Sequence, residues 1–130
     1  MGKTKILIVD DDPDFTRSVQ VILESRNYTV RTAASGTEGM TKIEADRPDL
    51  VILDVMMASL GDGIELARQL RENPGLVPMP ILMVTAVKEK TGIDFRSSAG
   101  DETWLPVDAF LDKPVASHVL LAEVERLLSR

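Results

Sequence analysis

Three short runs constrain the fold more than anything else in the chain: ILIV at 6–9, LVIL at 50–53 and ILMV at 81–84. Each is built only from Ile, Leu and Val, with one Met in the third; each stops abruptly, and none alternates with polar residues. A strand with one face in water alternates; a strand covered on both faces does not, because both sets of side chains meet apolar layers. The runs therefore predict central strands of a parallel sheet. Two weaker candidates are YTVRT at 28–32 and AFL at 109–111.

Helical patterns lie between these runs. PDFTRSVQVILESR (13–26) opens on a proline at a first helical position, after Asp12 as a cap, with Phe15, Val19, Ile22 and Leu23 on one face. SGTEGMTKIEA (35–45) starts with the capping-box pair Ser35 and Glu38. GIELARQLREN (63–73) presents Ile64, Leu66, Ala67 and Leu70. VASHVLLAEVERLLSR (115–130) presents Val119, Leu120, Val124, Leu127 and Leu128. Strand alternating with helix predicts a doubly wound α/β sheet with helices on both faces. Residues 1–130 read as a single domain without repeats or linker.

Composition removes several classes. There is no cysteine, so disulfides and thiolate metal sites are excluded. The formal net charge of −6 argues against nucleic acid or an anionic membrane as a direct partner, and suits a cation or a basic protein face. The start carries an apolar stretch too short for a signal peptide, and no run approaches a membrane span. A cytoplasmic location is the expectation.

In an open parallel sheet, ligands bind beyond the carboxyl ends of the strands. The three strong runs are followed there by Asp10, Asp11 and Asp12, by Asp54, and by Thr85; the weak last strand is followed by Asp112 and Lys113. Taken singly, such residues read as loop solvation, a helix cap or a surface charge. Taken together, each directly after a buried strand, they read as one site. Two carboxylates 4 Å apart repel by about 4 kcal/mol at an effective dielectric near 20. A cluster of Asp10, Asp11 and Asp54 is then poorly tolerated without a cation, and its hard oxygen donors point to Mg²⁺.

ILIVDDDPDF, LVILDVMM, ILMVTA and AFLDKPV, in this order and spanning nearly the whole chain, resemble the receiver domain of two-component response regulators. That resemblance implies a five-stranded parallel sheet in the order 2-1-3-4-5 with about five helices. It makes Asp54 the phosphoacceptor, charged by a histidine kinase or phosphotransfer protein. Asp10 and Asp11 match the acidic pair that holds Mg²⁺ with Asp54, and the backbone carbonyl of Met56 matches the third protein ligand. Thr85 matches the hydroxyl that bonds the phosphoryl group, Lys113 its cationic partner and Phe110 the aromatic switch. The bond to Pro114 is often cis in the family. The implied role is a signalling phosphoacceptor rather than an enzyme, acting on an unknown downstream protein. A receiver-like interaction module that is never phosphorylated is the alternative. An aspartyl phosphatase is disfavoured, because Met56 stands where such an enzyme needs its acid.

Two stretches depart from the family pattern. After Asp54 the loop VMMASLGDG has Ala58 in place of the common proline and one extra residue. Between Thr85 and Lys113 lie 27 residues, where a helix, its loops and a short strand need about 23. Residues 88–108 lack helical periodicity, so the fourth helix is expected to be shortened or irregular. Phe95 and Trp104 fall there, as exposed partner anchors or, the favoured reading, as covers for the sheet. Met56 and Val87 match two positions that, in the family, influence how fast the acyl phosphate hydrolyses; both are apolar and cannot hold an attacking water, so the resemblance implies slow self-dephosphorylation. His118 reads as a surface helical residue rather than a phosphorelay site.

Overall fold

The structure, a computed structural model, describes residues 3–54, 62–76, 79–86 and 107–129. The Met56 carbonyl, Ala58, Val87, Phe95, Trp104 and residues 88–106, with the call of a shortened fourth helix, lie outside the described residues.

Five parallel strands, β1 (Lys5–Val9), β2 (Thr29–Ala33), β3 (Leu50–Leu53), β4 (Ile81–Thr85) and β5 (Ala109–Asp112), form one sheet in the order β2-β1-β3-β4-β5. The helices among the described residues are α1 (Pro13–Glu24), α2 (Gly36–Ala45), α3 (Asp62–Glu72) and α4 (Ser117–Leu128). Both the doubly wound class and the strand order agree with the sequence reading.

The non-alternating runs do what their composition requires. Leu7, Val9, Val51, Leu53, Ile81 and Met83 point to one side and pack with Ile43 of α2 and Ile64, Leu66, Ala67 and Leu70 of α3. Ile6, Ile8, Leu50, Ile52, Leu82 and Val84 point to the other, against Val19 and Leu23 of α1 and Leu120, Val124 and Leu127 of α4. Each fully buried aliphatic side chain contributes roughly 1.5–3 kcal/mol, so the two half-cores together hold the sheet. β5 is half-buried along its length, which is why its sequence signal is weak.

Local signals set the helix boundaries. The Asp12 carboxylate accepts the backbone N–H groups of Asp14 and Phe15, and Pro13 opens α1. Ser35 Oγ accepts the Glu38 N–H at 3.1 Å, and Glu38 reaches back to the Ala34 N–H at 2.8 Å. One helical assignment needs correction. Val119 is 38% exposed, and Leu121 instead is buried, because the α4 stripe facing the sheet runs through Leu120, Leu121, Val124 and Leu127.

At the amino ends of the strands, aspartates close the sheet. The Asp49 carboxylate accepts the Lys5 backbone N–H at 2.8 Å, and the Asp108 carboxylate accepts that of Ile81 at 2.8 Å. Asp108 is also paired with the Arg71 guanidinium, which donates in turn to the Met79 carbonyl at 2.7 Å. The end of α3 is thereby tied to the starts of β4 and β5.

α2 lies close to β1 at Gly39. A Cβ there would stand 3.0 Å and 3.3 Å from the two Val9 methyl carbons and 3.4 Å from Leu66 Cδ2. Gly39→Val is therefore expected to lose about 2 kcal/mol in urea unfolding, despite its lower backbone entropy when unfolded. Wild-type stability in that variant would contradict this seating of α2.

Candidate phosphoryl and metal site

Register brings the charged residues together. β1 and β3 are paired with Val9 opposite Leu53, so the next residues, Asp10 and Asp54, emerge side by side. β4 and β5 are paired with Thr85 opposite Asp112, so Lys113 follows on the same rim. The ladder continues one residue past the strands: the Asp54 N–H donates to the Val9 carbonyl at 3.1 Å and the Lys113 N–H to the Thr85 carbonyl at 2.9 Å. Backbone bonding, not side-chain attraction, thus fixes where these groups sit.

Asp10 (4% exposed), Asp54 (3%) and Thr85 (1%) are buried. Asp11 is exposed, yet Asp10, Asp11 and Asp54 each offer a carboxylate oxygen within 4.8 Å of the others. Lys113 Nζ lies 2.8 Å from Asp10 Oδ2 and 3.5 Å from Asp54 Oδ2. Asp10 Oδ1 accepts the Asp12 backbone N–H at 2.9 Å. The Lys113–Pro114 peptide is cis. Of the residues singled out in the sequence, the rim thus unites Asp10, Asp11, Asp54, Thr85 and Lys113. Phe110 packs half-buried against the core on the α2–α3 face. His118 is exposed on α4.

Burial pushes the Asp10 carboxyl above its ordinary range; the bonds from Lys113 and the Asp12 N–H oppose this, and the Asp54 charge adds to it. Burial alone would lower the Lys113 ammonium, but its bond to Asp10 and the charges of Asp54 and Asp10 outweigh that and raise it. Among the described residues, Asp10, Asp11 and Asp54 thus set three carboxylates beside the Lys113 ammonium. A hard divalent cation fits this donor set: all three groups present oxygen, and the chain contains no cysteine. Among the described residues, the buried Thr85 hydroxyl has no hydrogen-bond partner. Such an orphan costs about 1–3 kcal/mol.

Two contributors were not apparent from the sequence. Phe15, read as a core residue of α1, stands over the rim with Lys113 Nζ 4.0 Å from its ring centroid. The Arg71–Asp108 pair braces the opposite end of the sheet. Neither has a signal in residue spacing, because each depends on contact between remote elements.

A doubly wound parallel sheet with two buried carboxylates and an ammonium at its carboxyl rim presents a charged site that suits a hard cation. Comparison with known proteins narrows this. The model of the response regulator receiver domain matches residues 6–125, and the chain belongs to that family. It is 40% identical over 126 residues to the alkaline phosphatase synthesis transcriptional regulatory protein PhoP of Bacillus subtilis, covering 97% of this chain and 49% of that protein. It is 42% identical over 130 residues to the response regulator MprA of Mycobacterium ulcerans, covering 97% and 50%. The chain thus spans about half the length of these relatives. Among solved structures, a response regulator from Chloroflexus aurantiacus superposes with a TM-score of 0.85 at 34% identity, covering 98% of this chain and 99% of that one. The BeF3-activated N-terminal receiver domain of Klebsiella pneumoniae RstA superposes with a TM-score of 0.79 at 27% identity, covering 98% and 100%. Receiver domains bind Mg²⁺ at an acidic pocket, and no helix among the described residues is long and apolar enough to cross a membrane.

The charge imbalance has a measurable sign. The raised Asp10 carboxyl means that its charged form is disfavoured in the folded chain, a cost present at neutral pH and relieved as pH falls through the raised value. Asp54→Asn removes a charge that adds to this shift, and Asp11→Asn removes a carboxylate within 4.8 Å of the other two; each is expected to raise the melting temperature of the metal-free protein at neutral pH by about 2–5 °C. The gain shrinks on acidification. Equal or lower melting temperatures for both variants would contradict mutual repulsion at the rim.

Proposed function

We propose that this chain is a phosphoacceptor in a two-component pathway and that Asp54 carries the phosphoryl group. The observation behind this reading is the buried Asp54 carboxylate lying against Asp10, Asp11 and Lys113 on one rim. A carboxylate oxygen of Asp54 attacks phosphorus in a phosphohistidine of a partner kinase or phosphotransfer protein. The new O–P bond is an acyl phosphate; the breaking N–P bond leaves its electron pair on the imidazole nitrogen. Such transfer asks little of a protein beyond positioning and charge neutralisation.

Asp10 and Asp11, with the Met56 backbone carbonyl, would hold Mg²⁺, which when bound neutralises charge on the phosphoryl oxygens. Lys113 exchanges its carboxylate partners for a phosphoryl oxygen. The Thr85 hydroxyl, buried and unpartnered among the described residues, supplies a further hydrogen bond, and Phe110 follows its movement. The altered surface then meets a downstream protein; with a net charge of −6 the chain itself is poorly suited to nucleic acid. The domain is a switch rather than a turnover enzyme, its acyl phosphate is lost slowly, and a cytoplasmic histidine kinase pathway is its setting.

Incubation with acetyl phosphate and Mg²⁺ is expected to add the mass of one phosphoryl group to the intact chain. Asp54→Asn abolishes the addition, as does chelation of the cation. Unchanged labelling of Asp54→Asn would refute the assignment. The label is expected to persist for minutes or longer after removal of the donor; decay within seconds would contradict the slow-hydrolysis reading.

A further inference from the structure

The ammonium of Lys113 has three directions in which to donate. One is taken by Asp10 at 2.8 Å and one points to Asp54 at 3.5 Å. In addition, the Phe15 ring stands under the nitrogen, with 4.0 Å between Nζ and the ring centroid. That separation lies well inside the range over which a cation is attracted to an aromatic face. Phe15 is half-buried and packs against the α1–α4 half-core, so the ring has support from behind. Its backbone is held as well, since the Asp12 carboxylate that caps α1 accepts the Phe15 N–H at 3.3 Å.

We infer that Phe15 is a positioning residue for Lys113: its ring holds the ammonium at the rim, facing the place where a phosphoryl oxygen arrives. A lysine side chain has four flexible carbons and spreads over many rotamers unless confined. A carboxylate confines it by charge, but that contact must be loosened when a phosphoryl group takes the ammonium. An aromatic face attracts the cation without offering a lone pair that competes with the incoming anion. It also keeps water from one side of the nitrogen, which strengthens the remaining interactions. The stretch DDDPDF then carries three separate devices: Asp10 for the ammonium and cation, Asp12 for the helix cap and Phe15 for the ring.

This inference rests on the phosphoacceptor reading, and the test separates the two. Binding of beryllofluoride with Mg²⁺ is measured for the wild type, Phe15→Leu, Phe15→Trp and a series with increasingly fluorinated phenylalanine at position 15. Leucine keeps apolar bulk without a π face; fluorination keeps the ring but drains its face of charge. The expected loss is about threefold to tenfold in affinity for Phe15→Leu, with wild-type affinity retained by Phe15→Trp and a graded loss along the fluorinated series. A parallel readout is the ring-current shift of the Lys113 ε-methylene protons in the ligand-free protein, lost in Phe15→Leu and kept in Phe15→Trp. A role in packing alone would leave the fluorinated series flat. Wild-type affinity in Phe15→Leu, a flat series, or no ring-current shift in the wild type overturns the inference while leaving the Asp54 reading intact. Failure of the wild type itself to bind beryllofluoride overturns both.

Discussion

The hydrogen-bonded ladder of a parallel sheet imposes the geometry on which everything else depends. Because Val9 pairs with Leu53 and Thr85 with Asp112, the residues that follow cannot avoid one another. Two carboxylates emerge as neighbours and an ammonium emerges nearby. Backbone bonds supported by two apolar half-cores keep them there against their own repulsion. The cost of the charge cluster is borne by burial of aliphatic strands elsewhere, and that lets a site be assembled from groups that would otherwise separate.

The sequence made the central part of this legible. Strands buried on both faces cannot hide their composition, so β1, β3 and β4 were evident, and the residues just beyond them named Asp10, Asp54 and Thr85 directly. Asp12, Pro13, Ser35 and Glu38 act within a few residues of themselves, so the helix starts were equally readable. What escaped depends on distance along the chain. Val119 satisfies a helical period, yet α4 meets the sheet through a stripe turned toward Leu121, and only packing decides between them. The Lys113–Phe15 contact joins residues separated by most of the chain, and nothing local to either announces it. Asp108 closes the stretch 88–108 that lacks helical periodicity, and no local pattern shows that its carboxylate serves Ile81 and Arg71 together.

Membership of the receiver family and the local physics support each other without being the same statement. The family match says which kind of signalling domain this is. The packing explains why the domain tolerates an acidic rim, and the neighbouring carboxylates explain why Lys113 remains charged within it. Relatives about twice as long show that such a domain can be one module of a larger regulator.

The two poles of the sheet use aspartate in opposite ways. At the amino pole, Asp49 and Asp108 are each matched to a strand N–H, and Asp108 also to a guanidinium. At the carboxyl pole, Asp10, Asp11 and Asp54 crowd one another, with the Lys113 ammonium against Asp10 and Asp54. One end of the layer therefore matches each carboxylate to a donor, while the other gathers like charges that a bound cation would offset. The same residue type thus secures the sheet at its root and leaves charge uncompensated at its tip.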